Sequence, residues 1–295
     1  MHEGPRHVLF ATDPLLDATV AWDVVKKCDQ EAIDAFLGRI RAMGFSPEVV
    51  ITDGSALYKE SLVARWADVE HQLCIFHVLA NINKDVLKAA RGLRDALPKP
   101  KRYRRGRPCK RGRPRKRDDR RKFVTEHLYL IVKRRDRFTP DDLADWRRMV
   151  GIDPAFAVLK RFVDEVHGLF EKGITKRAAR GRRNRLAKNA AYTEIPHLKR
   201  AIHRVARDKF EKMIVFLAYE NLDRTNNHVE RGNRSFRMLQ KTRYRRRRTR
   251  TIMLALQLHV LRGWREHPLH AAGRATPRKL KRRRLPARIS QRRAA

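Results

Sequence analysis

Apolar and polar positions change period several times along the chain, and each change marks an element. Residues 7–13 (HVLFATD) and 18–28 (ATVAWDVVKKC) are rich in β-branched and aromatic side chains, with Pro14 and Asp17 between them. This predicts two strands joined by a turn, able to pair as an antiparallel hairpin. From Asp29, a good N-cap, the period lengthens. Ile33, Phe36, Leu37 and Ile40 recur at helical spacing, and Gly44 stands where such a helix stops. After Pro47 the short run EVVITD (48–53) has the apolar centre of a buried parallel strand. Gly54 and Ser55 turn the chain into a helix near 55–65, HQLCIF (71–76) reads as another buried strand, and a helix follows over about 77–93. Strands joined through helices imply parallel pairing. With the hairpin, the expectation is an α/β fold whose mixed sheet is flanked by helices.

At residue 97 the pattern breaks. Residues 98–122 hold 15 Lys or Arg against two Asp, with Pro and Gly and little to bury, so 97–122 is expected to be an exposed, disordered basic linker. Helical spacing then resumes. Thr139-Pro140 and Asp153-Pro154 each place a capping residue before a Pro. Phe156, Leu159, Phe162, Val163, Val166 and Phe170 follow on one face, and further helices are expected over 195–222, 227–241 and 251–265. The basic tail is expected to be disordered. The expected organisation is an α/β part over 1–96, the linker, an all-helical part over 123–222, helices over 223–267 that rejoin the first part, and a tail over 268–295.

Charge narrows the function. Lys plus Arg is 71 and Asp plus Glu is 32, a net charge of +39. Self-repulsion on that scale opposes collapse unless a polyanion neutralises it, which points to nucleic acid, with an anionic membrane surface the weaker alternative. The 42% hydrophobic content is enough for a core. No run reaches the roughly 18 apolar residues of a membrane span, and no secretory signal is evident. Cys28, Cys74 and Cys109 are odd in number and widely spaced, which excludes a disulfide framework and fits a reducing cytosol.

Four features could carry chemistry. Asp53 ends a strand, and the carboxyl ends of parallel strands open onto ligand crevices. A carboxylate there can hold a divalent cation, or it can simply start a turn. In NNHVERGNRSFRMLQK, a helix capped by Asn226 or Asn227 puts Glu230, Asn233, Arg234, Arg237 and Lys241 on one face, beside an apolar face of Val229, Phe236 and Leu239. That face suits metal and phosphate, or solvated ion pairing. Cys74 and His77 form C-x2-H, but no second Cys/His pair stands at zinc spacing, so a buried Cys and a junction His are favoured. R-G-R-P occurs twice, through Arg105 and Arg107 and through Arg111 and Arg113. The repeat resembles AT-hooks, which lie in narrow minor grooves, and equally suits a linker touching phosphates without preference.

TDGSALY (52–58), HQLCIFHVLANIN (71–83) and NNHVERGNRSFR (226–237), in that order, resemble the DDE transposases of bacterial insertion sequences, in particular the group with a C-x2-H element after the second acid. The resemblance covers roughly residues 5–265. It implies an RNase H-like core with a large all-helical insertion, and two Mg²⁺ or Mn²⁺ ions held by three acids. Asp53 matches the second acid and Glu230 the third, with Arg237 seven residues on. Asn227, Cys74 and His77 are implied as supporting residues, and Arg234, Lys241 and the R-G-R-P arginines as DNA contacts. The implied partners are insertion-sequence ends and target DNA, bound by a homodimer, with no membrane. The implied location is cytoplasmic and nucleoid-associated. The family's first Asp lies on a strand before the one beginning at His7, so that strand is expected to be absent here, through a reading frame begun at an internal Met or through decay of the element, and an Asp-Glu encoded in frame just upstream would decide for the first. The helix-turn-helix such transposases often carry is expected to be absent too, and Asp13 is the alternative first acid. A non-catalytic basic DNA-binding protein or an inactive remnant is the rival class. An RNA-binding reading lacks the aromatic motif.

Removal of residues 98–122 is predicted to flatten the log–log salt dependence of DNA binding, because fewer counterions are released. Nitrocellulose-filter or fluorescence titrations across a salt series measure the slope, and an unchanged slope shows that the block does not touch DNA.

Overall fold

The computed structural model describes residues 7–15, 18–99, 119–241, 249–265 and 280–283. In chain order the elements are β1 (His7–Asp13), β2 (Ala18–Val25), α1 (Gln30–Ala42), β3 (Val49–Thr52), α2 (Leu57–Arg65), β4 (Glu70–Leu73), α3 (Ile75–Ala96), α4 (Arg120–His127), α5 (Tyr129–Val132), α6 (Pro140–Ile152), α7 (Ala155–Gly168), α8 (Lys176–Lys188), α9 (Ala190–Thr193), α10 (Pro196–Arg204), α11 (Arg207–Met213), α12 (Asn227–Lys241) and α13 (Thr249–Arg265). Short 3₁₀ turns span Arg135–Arg137 and Val215–Ala218. The fold is α/β and mostly helical, and it divides into one unit of residues 1–75 with 212–295 and another of residues 76–211. Among the described residues no helix is long and apolar enough to cross a membrane.

In the first unit β1 and β2 pair antiparallel, with Phe10 opposite Trp22 and a register shift after Ala11. Strand alternation sorts the hairpin's side chains between two layers. Leu9, Ala11, Ala21 and Val25 join Ile33, Phe36, Leu37 and Ile40 of α1 and Leu62 of α2. Val8, Phe10, Trp22 and Val24, from the other face, pack on Phe236 of α12 and on Ile252, Ala255 and Leu256 of α13. The helix α1 starts where expected, with the Asp29 carboxylate accepting from the Ala32 N–H at 3.1 Å, and it ends before Gly44 at φ +87°. Asp23, on the α1 face of the hairpin, pairs with Arg39 of that helix.

The strands β3 and β4 pair parallel, with Thr52 opposite Leu73. Val50 and Val69 reach the same apolar cluster as α1 and α2, so one helical layer covers both strand pairs. The expected single mixed sheet is not formed among the described residues. The strands make two separate two-stranded sheets, held together through helix packing rather than through a common ladder. The far side of β4 is covered by the chain returning from the second unit. Gln72, fully buried in β4, donates to the Met213 carbonyl at 3.0 Å and accepts from the Phe216 N–H at 2.9 Å.

Two expected elements end differently. The strand expected over 71–76 stops at Leu73: the Cys74 N–H makes the last ladder bond, to the Thr52 carbonyl, the Ile75 N–H turns away to the Arg224 carbonyl, and α3 starts at once. The single helix expected over 195–222 is broken into α10, α11 and a 3₁₀ turn. Ile214, Val215, Phe216 and Leu217 are all buried, and four successive buried residues cannot share one face of an α-helix.

The second unit is helical. Phe156, Phe162, Val166, Tyr192, Leu198 and Phe210 are among its buried core residues, with the Phe162 and Tyr192 rings edge to face at 5.1 Å. Thr139 and Asp142 form a capping box at α6, and buried Asp142 also accepts from Lys133 at 2.6 Å. Lys133 and Thr139 hold the Asp142 carboxyl far below the usual carboxylate range. Lys160 is wholly buried, and its ammonium donates to Asp164 at 2.7 Å and to the Lys133 carbonyl at 2.6 Å. Asp85 of α3, also buried, is paired with Arg204 of α10 at 2.6 Å. Several α8 arginines are bonded internally: Arg180 to Glu211, Arg182 to Glu171 and the Gly168 carbonyl, and Arg183 to the Val205 carbonyl. Of the expected basic linker, 120–122 opens α4, where Arg121 reaches the Asp95 carboxylate at 2.6 Å and the Leu97 carbonyl at 3.4 Å. Its greater part, 100–118, and most of the tail lie outside the described residues.

Gln72→Leu keeps the volume but strands the Met213 carbonyl and the Phe216 N–H. It is expected to cost about 2–4 kcal/mol. Urea unfolding measures the loss, and hydrogen exchange is expected to show the Phe216 amide deprotected.

Candidate functional site

The site is built at the carboxyl end of β3. Thr52, the last residue of the strand, is buried, whereas Asp53 is exposed. The Asp53 carboxylate accepts from the Ser55 N–H at 3.0 Å, which shapes the turn into α2. Gly54 takes φ +86°, a conformation that strains any L side chain, and its N–H meets the Thr52 hydroxyl at 3.4 Å. That hydroxyl also bonds His71 Nε2 of β4 at 2.7 Å. Burial, with Lys212 adding to it, pushes the His71 imidazole down to about 4, so the ring is neutral near pH 7. Burial, with the Asp53 charge adding to it, pushes the Tyr58 phenol up to about 12 and raises the Cys28 thiol. Asp53 is thus within electrostatic reach of both.

A short chain of bonds leads from this turn to Glu230. The Cys74 N–H donates to the Thr52 carbonyl at 2.7 Å, and the Asn226 N–H points at Cys74 Sγ at 3.4 Å. The Asn226 carbonyl accepts from the Glu230 N–H at 3.1 Å, as a residue capping α12 does. The end of β3, the end of β4 and the start of α12 therefore meet at Cys74. Asn227 opens α12 and is exposed, as are Glu230, Arg234 and Arg237. Phe236, on the opposite face, is buried against Phe10 at 6.4 Å between ring centroids. The Lys241 side chain lies outside the described residues, as do Arg105, Arg107, Arg111 and Arg113. His77 lies in the first turn of α3, its ring edge-on to Phe76 at 5.6 Å. Asp13 ends β1 with its carboxylate accepting from the Leu15 N–H at 2.8 Å, a turn-forming contact.

Several residues here escaped the sequence reading. At the start of α12, Arg231 donates to His228 Nδ1 at 2.8 Å. Because an arginine can only donate, His228 Nδ1 is the acceptor there, which leaves Nε2–H to donate to Asp223 at 3.2 Å. Nothing in the spacing of Asp223, His228 and Arg231 distinguishes them from surface charge. Thr52 and His71 lie on neighbouring strands and meet only once the parallel register is known.

Among the described residues no three His, Cys, Asp or Glu side chains gather as a metal-holding group. Asp53 and Glu230 are both exposed residues, and carboxylates suit a hard cation such as Mg²⁺ or Mn²⁺ completed by water. Buried Cys74 already has its sulfur facing a backbone N–H, which suits a structural thiol rather than a soft-metal ligand.

A family model for transposases, the DDE type of the ISL3 group, matches residues 1–254, and the chain belongs to this family. It is accordingly a transposase of a mobile element, acting on DNA. No curated protein and no solved structure matches it.

A neutral His71 also predicts a pH effect. The unfolded chain protonates this histidine below about 6.5, while the folded chain resists until about 4. Between those values the unfolded state binds more protons, so stability falls as pH drops from about 6.5 through 4 and is fully present above. His71→Gln is expected to flatten that part of a stability-against-pH curve from denaturant titration.

Proposed function

We propose that this chain is the catalytic part of an insertion-sequence transposase of the DDE type, with Asp53 and Glu230 as two of its acids. The observation that supports the reading is the bonded path from Thr52 through Cys74 and Asn226 to the Glu230 N–H, which joins the backbone just before Asp53 to the backbone of Glu230, although the two acids lie 177 residues apart (230 − 53). The antiparallel hairpin and the parallel pair, sharing one helical layer, are proposed to be the two parts of an RNase H-like core, with the helical unit as its insertion.

A bound Mg²⁺ or Mn²⁺ pair supplies Lewis-acid stabilisation of the phosphate and a more acidic attacking water or hydroxyl. The protein's share is positioning. Asp53, fixed by the Ser55 N–H and the Gly54 turn, and Glu230, one turn into α12, present oxygens to the metal. Arg234 and Arg237 follow Glu230 along the helix and offset phosphate charge. Cys74 and Asn227 support the junction, and His77 stands at the start of α3. In this reading water first opens the phosphodiester at the element's end. The freed 3′-hydroxyl then attacks a target phosphodiester in line. The R-G-R-P arginines and Lys241 grip DNA, and two copies act together in the nucleoid. A second reading is a DNA-binding remnant without catalysis.

The test is metal-dependent nicking of element ends. The proposal expects Asp53→Asn and Glu230→Gln each to reduce nicking to background while DNA binding persists. Mn²⁺ affinity should fall in either variant, and the double variant should lose less than the sum, as two ligands of one site do. Additive losses count against a shared site, and nicking unchanged in either variant removes that residue from the mechanism.

A further inference from the structure

Residues 280–283 belong to the basic tail, yet they lie as an extended segment against the chain returning from the helical unit, joined to it by a single β-bridge. Arg282 bridges antiparallel to Tyr219. The Glu220 N–H donates to the Lys281 carbonyl at 2.8 Å, and the Arg283 N–H to the Ala218 carbonyl at 2.7 Å. The Lys281 N–H donates to the Asn221 side chain at 2.9 Å. Side chains add to the backbone match. Glu70 at the start of β4 accepts from Arg282 at 3.0 Å and from the Tyr219 hydroxyl at 2.8 Å, and the Arg282 guanidinium lies 5.6 Å from the centre of the Tyr219 ring. Glu220 lines the same cleft as Lys281, Arg282 and Arg283, and the Glu48 charge also acts on Arg282. In a chain carrying 71 basic and 32 acidic residues, three carboxylates around one tetrapeptide form a local acidic patch.

We propose that the 218–220 backbone, with Glu70 and Glu220, is a docking site for an extended Lys/Arg-rich strand, that residues 280–283 of the same chain occupy it, and that DNA displaces them. The proposal rests on the DNA-binding part of the function above and not on cleavage. The site suits such a partner, because it pairs extended backbone beside carboxylates. It holds the segment weakly, since Arg282 remains 72% exposed and an ion pair that open to water contributes little. Residues 278–284 include six Lys or Arg in seven. Duplex DNA offers them about one phosphate per 1.7 Å and releases a counterion for each neutralised charge. On DNA the same cations therefore gain more than Glu70 and Glu220 supply.

Hydrogen exchange on the full chain reads the docking directly. The Glu220 and Arg283 amides are expected to be protected without DNA and to lose protection when random-sequence duplex saturates the protein. Glu70→Gln, which keeps an acceptor for Tyr219 but removes the charge, is expected to tighten DNA binding about two- to fivefold more than Glu126→Gln, an exposed control carboxylate. That difference should vanish when Lys281, Arg282 and Arg283 are all changed to Gln. Protection retained on saturating DNA overturns the proposal alone, and no DNA binding at all overturns it together with the DNA-binding reading. Equal effects of the two Gln variants, or protection that rises with protein concentration, as a second copy's tail would give, overturn it as well.

Discussion

The amide of Cys74 donates to the carbonyl of Thr52, its sulfur faces the amide of Asn226, and the next amide along, that of Ile75, donates to the carbonyl of Arg224. These contacts fall within two residues and bind three chain segments that are far apart in sequence. They end β4, start α3 and bring the beginning of α12 to the end of β3. A buried thiol suits this position because it is compact and tolerates a long, weak hydrogen bond, where a hydroxyl would demand a better partner. Gln72, two residues earlier, makes the same connection for the 213–216 segment with a side-chain amide that both donates and accepts. The proposed acids have no common element. They share this junction.

The hairpin, α1, β3 and α2 could be read from residue order because their signals are local. Asp29 caps, Gly44 stops, and the alternation of Val8, Leu9, Phe10 and Ala11 sorts side chains between two layers. The ends that failed were decided at a distance. The strand 71–76 stopped short where the Ile75 amide leaves the ladder for the carbonyl of Arg224, a partner far away in sequence. The helix 195–222 is broken between α10 and α11 and again before the 3₁₀ turn, where Ile214 through Leu217 are all buried, and its apolar spacing could not reveal what surrounds it. At the site, Asp53 and Glu230 stood out as carboxylates after a strand and within a cationic helix. Their supports, Thr52 with His71 and Arg231 with His228 and Asp223, became visible only once the parallel register and the helix start were in place.

Net charge is also a coarser guide than it looks. Arg180, Arg182 and Arg183 of α8 face Glu211, Glu171 and backbone carbonyls, and buried Lys160 is held by Asp164. Such cations maintain the helical unit and have little left to give a phosphate. Arg234 and Arg237, by contrast, stand exposed beyond Glu230 on α12. Position, more than number, separates the cations available to DNA from those that hold the fold.

Arg121, in the first turn of α4, grips the Asp95 carboxylate and the carbonyls of Asp95 and Leu97 at the end of α3. The chain thus leaves the helical unit after α3 and re-enters it beside its point of departure. New chain termini could be opened between residues 100 and 118 without separating the two helices, because the clasp joining them is not made of the chain that would be cut. Because that closure does not depend on the residues between, a change in the length of the intervening sequence is expected to leave the packing of α3 and α4 intact.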